Sequence, residues 1–198
     1  MFASNCYILC SADAFSVIDP SVSYEYALEK YPILSELRPE YVILTHGHVD
    51  HFWEIESYVK AGCRALISEL DSKIAGDPKM NCYEFLSGNI DSYKGEFHHV
   101  SDGDVIETVG ERFEVLATPG HSAGSVSYLT NGVIFTGDTL FAGGVFGRYD
   151  LPTSDGAALL HSLRRLFSLN GDLIVYSGHG GPTTIKKTKD AFYNRRDM

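Results

Sequence analysis

Short apolar runs separated by polar turns recur along the whole chain. Residues 5–10 and 14–19 are two such runs, joined by Ser11-Ala12-Asp13, and they predict a β-hairpin. Further apolar runs of strand length lie at 41–44, 65–67, 112–117, 125–129, 133–136 and 173–176. Asn131-Gly132, between two of these runs, is a strong signal for a second hairpin.

Helical segments lie between the strand-like runs. A helix is predicted over 22–31, ended by Pro32, because proline cannot continue the hydrogen-bond ladder. Pro39 is interpreted as part of the turn before the run at 41–44. Three more helices are expected at 52–60 with Gly62 as its C-cap, at 157–169 with Ser154 or Asp155 as its N-cap, and at 184–193.

The order of these segments predicts an α/β fold. Strands followed by helices fill each half of the chain, which favours two mixed β-sheets sandwiched between helices, with a site along one edge. No linker composition appears, so a single domain over 1–198 is expected. Residues 77–97 lack a clear period and are interpreted as an insertion or a loop that lines a site.

Composition narrows the range of partners and compartments. The formal net charge of −10 argues against binding to nucleic acid or to an anionic membrane, both of which need basic patches. It does not exclude an anionic small-molecule substrate, because a local basic cluster can oppose the overall charge. No apolar run approaches the roughly 18 residues of a membrane span, and residues 1–6 do not have the pattern of a secretory signal. The four cysteines form no CxxC pair, so reduced thiols and a cytoplasmic location are expected.

The candidate chemistry is concentrated in Thr45-His46-Gly47-His48-Val49-Asp50-His51. Three imidazoles and one carboxylate fall within six positions, after the strand-like run 41–44 and before the helical segment 52–60. A turn that contains glycine can direct several of these side chains to one point. Imidazole nitrogen and carboxylate oxygen bind zinc and other divalent transition metals.

Three later residues have the same setting as this stretch. His121, Asp138 and His179 each follow an apolar run, and each has a glycine one or two positions away. Any one of them alone is more simply a helix cap or a turn residue. Together with the stretch at 45–51, they predict a metal site at the edge of a sheet.

The pattern His46-x-His48-x-Asp50-His51, followed by His121, Asp138 and His179, resembles the metallo-β-lactamase-fold hydrolase superfamily. The resemblance spans nearly the whole chain and is greatest to the glyoxalase II-like (hydroxyacylglutathione hydrolase-like) branch. It rests on the stretches at 117–125, 136–141 and 147–152. It implies the fold of that superfamily, a four-layer αβ/βα sandwich. Asp138 is unlike the Cys ligand of some antibiotic-cleaving zinc β-lactamases.

The resemblance also implies two divalent metal ions, with zinc favoured and iron or manganese compatible. His46, His48 and His121 would bind one metal, Asp50, His51 and His179 would bind the other, and Asp138 would bridge them. Asp50 and Asp138 are the implied catalytic residues. A hydroxide between the metals would attack the carbonyl of a small thioester, and a thiolate would leave.

The sequence leaves three alternatives to a hydroxyacylglutathione hydrolase open. The longer glyoxalase II enzymes carry a C-terminal helical domain that contributes to glutathione binding, and the 19 residues after His179 leave no room for it. Another acyl or lactone substrate is therefore an alternative. A mononuclear iron persulfide dioxygenase is a second alternative, with His46, His121 and Asp138 as its ligands, and a non-catalytic domain of the same fold is a third.

The loop after Asp138 could supply substrate contacts. Arg148 and Tyr149 are candidates for substrate binding, although Arg148 could instead pair with Asp150 or Asp155 and hold the loop. His98 and His99, which precede a turn in this interpretation, and His161 are interpreted as structural or surface residues.

Overall fold

The computed structural model describes residues 4–82 and 93–194. The first sheet has five strands in the order β1-β2-β3-β4-β5. Only β1 runs antiparallel to its neighbour, and β2 to β5 are mutually parallel. Its strands are β1 (Tyr7–Cys10), β2 (Ala14–Ile18), β3 (Arg38–Ile43), β4 (Arg64–Ser68) and β5 (His98–Val100).

The second sheet has six strands in the order β11-β10-β9-β8-β7-β6. Strands β6 to β9 are antiparallel, β10 is parallel to β9, and β11 is antiparallel to β10. Its strands are β6 (Val105–Thr108), β7 (Glu111–Ala117), β8 (Val126–Thr130), β9 (Val133–Gly137), β10 (Ile174–Ser177) and β11 (Thr183–Thr184).

Helices cover the outer faces of both sheets. Residues packed against the first sheet come from α1 and α3, and α5 and α6 pack on the second sheet. The helices of the described residues are α1 (Tyr24–Lys30), α2 (Val49–Phe52), α3 (Ile55–Lys60), α4 (Glu69–Ala75), α5 (Gly156–Phe167) and α6 (Ile185–Asn194), with short 3-10 helices at Pro32–Ser35 and Ala142–Gly144.

Three apolar layers hold the two sheets and their helices together. Successive residues of one strand enter different layers because side chains alternate across a strand. In β3, Val42 packs under the helices of the first sheet, whereas Ile43 packs between the sheets. In β9, Ile134 packs under α5 and Phe135 packs between the sheets. Both faces of these strands are buried, which explains their nearly continuous apolar runs.

The predicted fold class is confirmed: two mixed sheets lie between layers of helices. The Asn131-Gly132 turn joins β8 and β9, with Thr130 paired to Val133. Asp155, one of the two predicted caps, accepts hydrogen bonds from the first backbone N–H groups of α5. The four cysteines carry free thiols. Within residues 4–82 and 93–194, no helix is both long and apolar enough to cross a membrane.

Two local predictions were wrong near the start of the chain. Pro39 lies within β3, not in a turn, and pairs with Phe15 beside a register shift of β2. Proline is tolerated there because β4 pairs with β3 only from Tyr41 onward, so the missing N–H costs no bond on that side. The helix predicted over 52–60 is two helices, because the backbone N–H of Glu54 donates to the carbonyl of Pro20 instead of continuing the helical ladder.

One further difference concerns His98 and His99. His98 and His99 do not precede a turn but form most of β5, paired with Leu66 and Ile67 of β4. Three residues with two polar side chains carry no recognisable strand pattern. Of the segment predicted as an insertion or loop at 77–97, residues 83–92 lie outside the described residues.

The layer between α5 and the second sheet predicts a difference between two leucines of one helix. Leu163 is 1% exposed, whereas Leu160 is only partly buried. Leu163→Ala should lower the free energy of unfolding by about 2–5 kcal/mol, since it leaves a cavity. Leu160→Ala should cost clearly less, because less apolar surface is lost. Urea unfolding measures both, and equal losses would contradict this layer.

Candidate metal centre

Four strand ends bring the candidate ligands together. Strands β7, β9 and β10 run in the same direction, so their C-terminal ends lie at one edge of the second sheet. His121, Asp138 and His179 follow these ends. The stretch 45–51 follows β3 of the first sheet, and its Thr45 carbonyl accepts a hydrogen bond from Val126 of the second sheet. The site therefore spans the edges of both sheets.

One group of ligand atoms comes from three buried imidazoles. His46, His48 and His121 are each at most 4% exposed, and one nitrogen from each lies within 4.8 Å of the others. The Nδ1 of His48 is 2.9 Å from the Nε2 of His121. This arrangement could hold one metal ion through three neutral nitrogens.

A second group of candidate ligands lies beside the first. Asp50, His51 and His179 place one ligand atom each within 4.8 Å of one another. The Nε2 of His179 is 3.3 Å from an Asp50 oxygen and 3.5 Å from Asp138 Oδ2. Asp138 also reaches the first group, since its Oδ2 is 3.6 Å from His121 Nε2. Its carboxylate thus lies between the two groups.

Buried polar atoms at this site fit a bound cation. His46 Nε2, His51 Nε2 and Asp138 Oδ1 are buried and have no hydrogen-bond partner among the described residues. Buried polar atoms of proteins are nearly always satisfied, so each of these atoms needs an explanation. Nitrogen and carboxylate oxygen directed to one place are the donor set of a transition-metal site.

The electrostatics of the two groups differ. Burial lowers the pKa of His48 to about 3 and holds the pKa of His46 well below its ordinary value, so both rings are neutral, as a metal ligand must be. Hydrogen bonds to Asp138 and Asp50 raise the pKa of His179 to about 9. Burial alone would lower the pKa of His51, but the surrounding carboxylates raise it. The second group therefore attracts positive charge more strongly.

Asp19, which directly follows β2, holds candidate ligands of both groups in place. Its Oδ2 accepts hydrogen bonds from His51 Nδ1 (2.9 Å) and from the Thr45 hydroxyl (2.7 Å). The same Thr45 oxygen lies 3.1 Å from His46 Nδ1. Bonding each ring through Nδ1 leaves Nε2 as the ligand atom. The carboxylate is 1% exposed, so these bonds are shielded from water.

Backbone features help to position two further candidate ligands, His121 and His179. His121 Nδ1 donates to the carbonyl of Arg148 at 2.8 Å, which directs its Nε2 to the site. Gly178 allows the chain before His179 to approach closely, because a Cβ there would collide with Asp138 and His51. The glycine beside this ligand is thus required by close packing of the site.

The two candidate substrate residues have other contacts in the structure. The Arg148 guanidinium forms two hydrogen bonds of 2.9 Å with the Asp150 carboxylate, the alternative expected from the sequence. Tyr149 is 57% exposed and lies beside Phe146, with ring centroids 6.2 Å apart. Substrate binding by Arg148 and Tyr149 stays a prediction. His98, His99 and His161 are exposed, as their interpretation as surface residues requires.

Sequence reasoning missed two buried carboxylates. Asp19 was interpreted only as the end of a strand, and Asp71 was not singled out. Ser68-x-x-Asp71 has the spacing of a capping box, and Ser68 does cap α4 by accepting from the Asp71 N–H. The side chain of Asp71 instead accepts from Gly47 N, Ser122 Oγ and Gly124 N. These contacts join distant segments, which no local pattern reveals.

A known protein family and a known relative match most of the chain. A family model described as the metallo-beta-lactamase superfamily matches residues 1–179. The chain is 30% identical over 211 residues to the hydroxyacylglutathione hydrolase GloC of Haemophilus influenzae, covering 98% of this chain and 95% of that protein.

Two solved structures have the same fold. One is the BLEG-1 B3 metallo-beta-lactamase, with a TM-score of 0.85 and 31% identity, covering 94% of this chain and 91% of the other. The second is TTHA1623 in a di-iron-bound form, with a TM-score of 0.82 and 30% identity, covering 96% and 94%.

The contacts of Asp19 predict a metal-binding defect in Asp19→Asn. Asparagine tolerates the positive φ of 51° at this position, but its amide must place a donor against the Thr45 N–H or hydroxyl. Loss of such an outer partner typically weakens metal affinity by about 10- to 100-fold. Competition with a chelator measures the change. Asp13→Asn, an exposed control on the β1–β2 turn, should bind metal as the unaltered chain does, and equal affinities for all three proteins would refute this role.

Proposed function

The chain belongs to the metallo-beta-lactamase superfamily, and from this membership we propose that it is a hydrolase of small thioesters that works with two divalent metal ions. The observation that carries the proposal is the convergence of five imidazoles and two carboxylates at one edge of the sandwich. The two sets of three ligands and the carboxylate between them provide for two metals.

The seven ligands divide between the two metals as their geometry suggests. His46, His48 and His121 would hold the first metal, Asp50, His51 and His179 would hold the second, and Asp138 would contact both. Such a pair supplies Lewis-acid polarisation of a carbonyl and a water of lowered pKa. Zinc suits the ligand set, and iron suits it equally, as the di-iron form of the similar TTHA1623 illustrates.

The protein groups have separate tasks in this reaction. The pKa of the Asp50 carboxyl is lowered, because His51 and His179 outweigh the effect of its burial, so the group stays ionised and can orient a water through hydrogen bonding. Asp138 is kept ionised in the same way, by His51 and His179. A thiolate is a good leaving group, so the site needs no strong general acid.

The acyl-thioester substrate is supported by the relative named a hydroxyacylglutathione hydrolase, which aligns over 98% of this chain. Glutathione recognition has less support, since the Arg148 side chain is engaged by Asp150. We therefore propose the class, a small thioester, and leave lactones and other acyl compounds as the alternative substrates.

A thioester panel that includes S-lactoylglutathione tests this function. Protein purified without added metal, and then loaded with zinc or iron, should release free thiol, which a thiol-reactive dye detects. Asp138→Asn should lower kcat/KM by at least about 100-fold, because it removes the carboxylate between the metals. Asp172→Asn is the control, since Asp172 is exposed. No turnover of any thioester with two metals bound would contradict the proposal.

The mononuclear dioxygenase is distinguished by two readings on the same protein. Metal analysis should give two ions per chain, and oxygen uptake with glutathione persulfide should be absent. One iron per chain together with oxygen consumption would replace the hydrolase with the oxygenase, whose expected ligands are His46, His121 and Asp138.

A further inference from the structure

Asp71 is a buried carboxylate that is not among the seven candidate ligands. It lies in the first turn of α4 and is 0% exposed. Burial of a carboxylate is costly unless it is hydrogen-bonded, so its partners indicate what the fold gains from it.

Three donors converge on this carboxylate. Its Oδ2 accepts from the backbone N–H of Gly47 at 2.8 Å and from the hydroxyl of Ser122 at 2.5 Å. Its Oδ1 accepts from the backbone N–H of Gly124 at 2.6 Å. The helix adds a fourth link, because the hydroxyl of Ser68, its N-cap, donates to the carbonyl of Gly124 at 2.6 Å.

The donors come from the two loops that carry the first group of ligands. Gly47 lies between His46 and His48, and Ser122 and Gly124 follow His121. These loops are more than 70 positions apart in the sequence, and Asp71 binds both at once. Gly47 also lies on the stretch that carries Asp50 and His51, but the loop after His121 carries no candidate ligand of the second group, so only the first group depends on the link between the two loops.

We propose that Asp71 is a positioning residue for the His46–His48–His121 metal site and not for the Asp50–His51–His179 site. The inference rests on the two-metal centre of the proposed function. The two loops must keep one relative position, because His48 Nδ1 and His121 Nε2 are only 2.9 Å apart. A metal bound by both rings would require that position to be maintained. An ionised carboxylate can hold them, because it offers acceptors to all three donors.

An amide cannot reproduce these bonds. In Asp71→Asn one acceptor oxygen becomes an NH2 group, which faces either the Gly124 N–H or the pair of donors from Gly47 and Ser122. At least one buried donor is then unsatisfied, and one loop moves away from the other. The consequence is confined to the metal that both loops bind.

Two variants, each of which keeps only one of the two proposed metal sites, allow the sites to be measured separately. His179→Ala leaves the three-imidazole site, and His121→Ala leaves the other site. In the His179→Ala background, Asp71→Asn should weaken Co²⁺ affinity by about 10- to 100-fold, measured by chelator competition and by the visible spectrum of bound Co²⁺. In the His121→Ala background, the same substitution should leave Co²⁺ affinity unchanged.

Matched variants keep this test independent of folding. Glu69→Gln removes an exposed carboxylate of the same helix and should change neither affinity. Ser122→Ala removes one of the three bonds, and should give a smaller loss confined to the three-imidazole site. Equal losses in both backgrounds, or no loss in either, would overturn the inference. Fewer than two metals on the unaltered chain contradicts the proposed function instead, because the His179→Ala titration still measures the site that Asp71 contacts.

Discussion

The central constraint is the burial of closely spaced ligand groups at the edge of a sheet. Imidazoles and carboxylates lose hydration there, and each must gain a partner of comparable strength. His51 illustrates the solution, since its Nδ1 donates to Asp19 while its Nε2 lies 3.3 Å from Asp138. One nitrogen of the ring is fixed by the fold, and the other is directed to the proposed metal.

The sandwich supplies the rigidity that this constraint requires. Three apolar layers fix the strands. The candidate ligands lie one to eight positions after the ends of β3, β7, β9 and β10, so the segments that connect them to the sheets are short. The two halves of the site come from different sheets. Asp19 and Asp71 connect the turn at 45–51 to other segments, Asp19 through Thr45 and His51, and Asp71 through Gly47 to the loop after His121.

Much of this arrangement could be predicted from the sequence because its signals are local. Apolar runs of strand length, ligand-type side chains after four of them and a glycine beside most of those side chains all lie within a few residues of one another. The division of one helix at Glu54 could not be predicted, since it depends on a bond to Pro20. Asp19 and Asp71 were missed for the same reason, because their partners are more than 20 positions away.

Anomalous diffraction from crystals grown with zinc or iron tests the central claim most directly. The account predicts two anomalous peaks per chain, about 3.5–4 Å apart. One peak would be bound by His46, His48 and His121, the other by Asp50, His51 and His179, and the Asp138 carboxylate would lie between them. A single peak at full metal loading, or two peaks with other ligands, would contradict it.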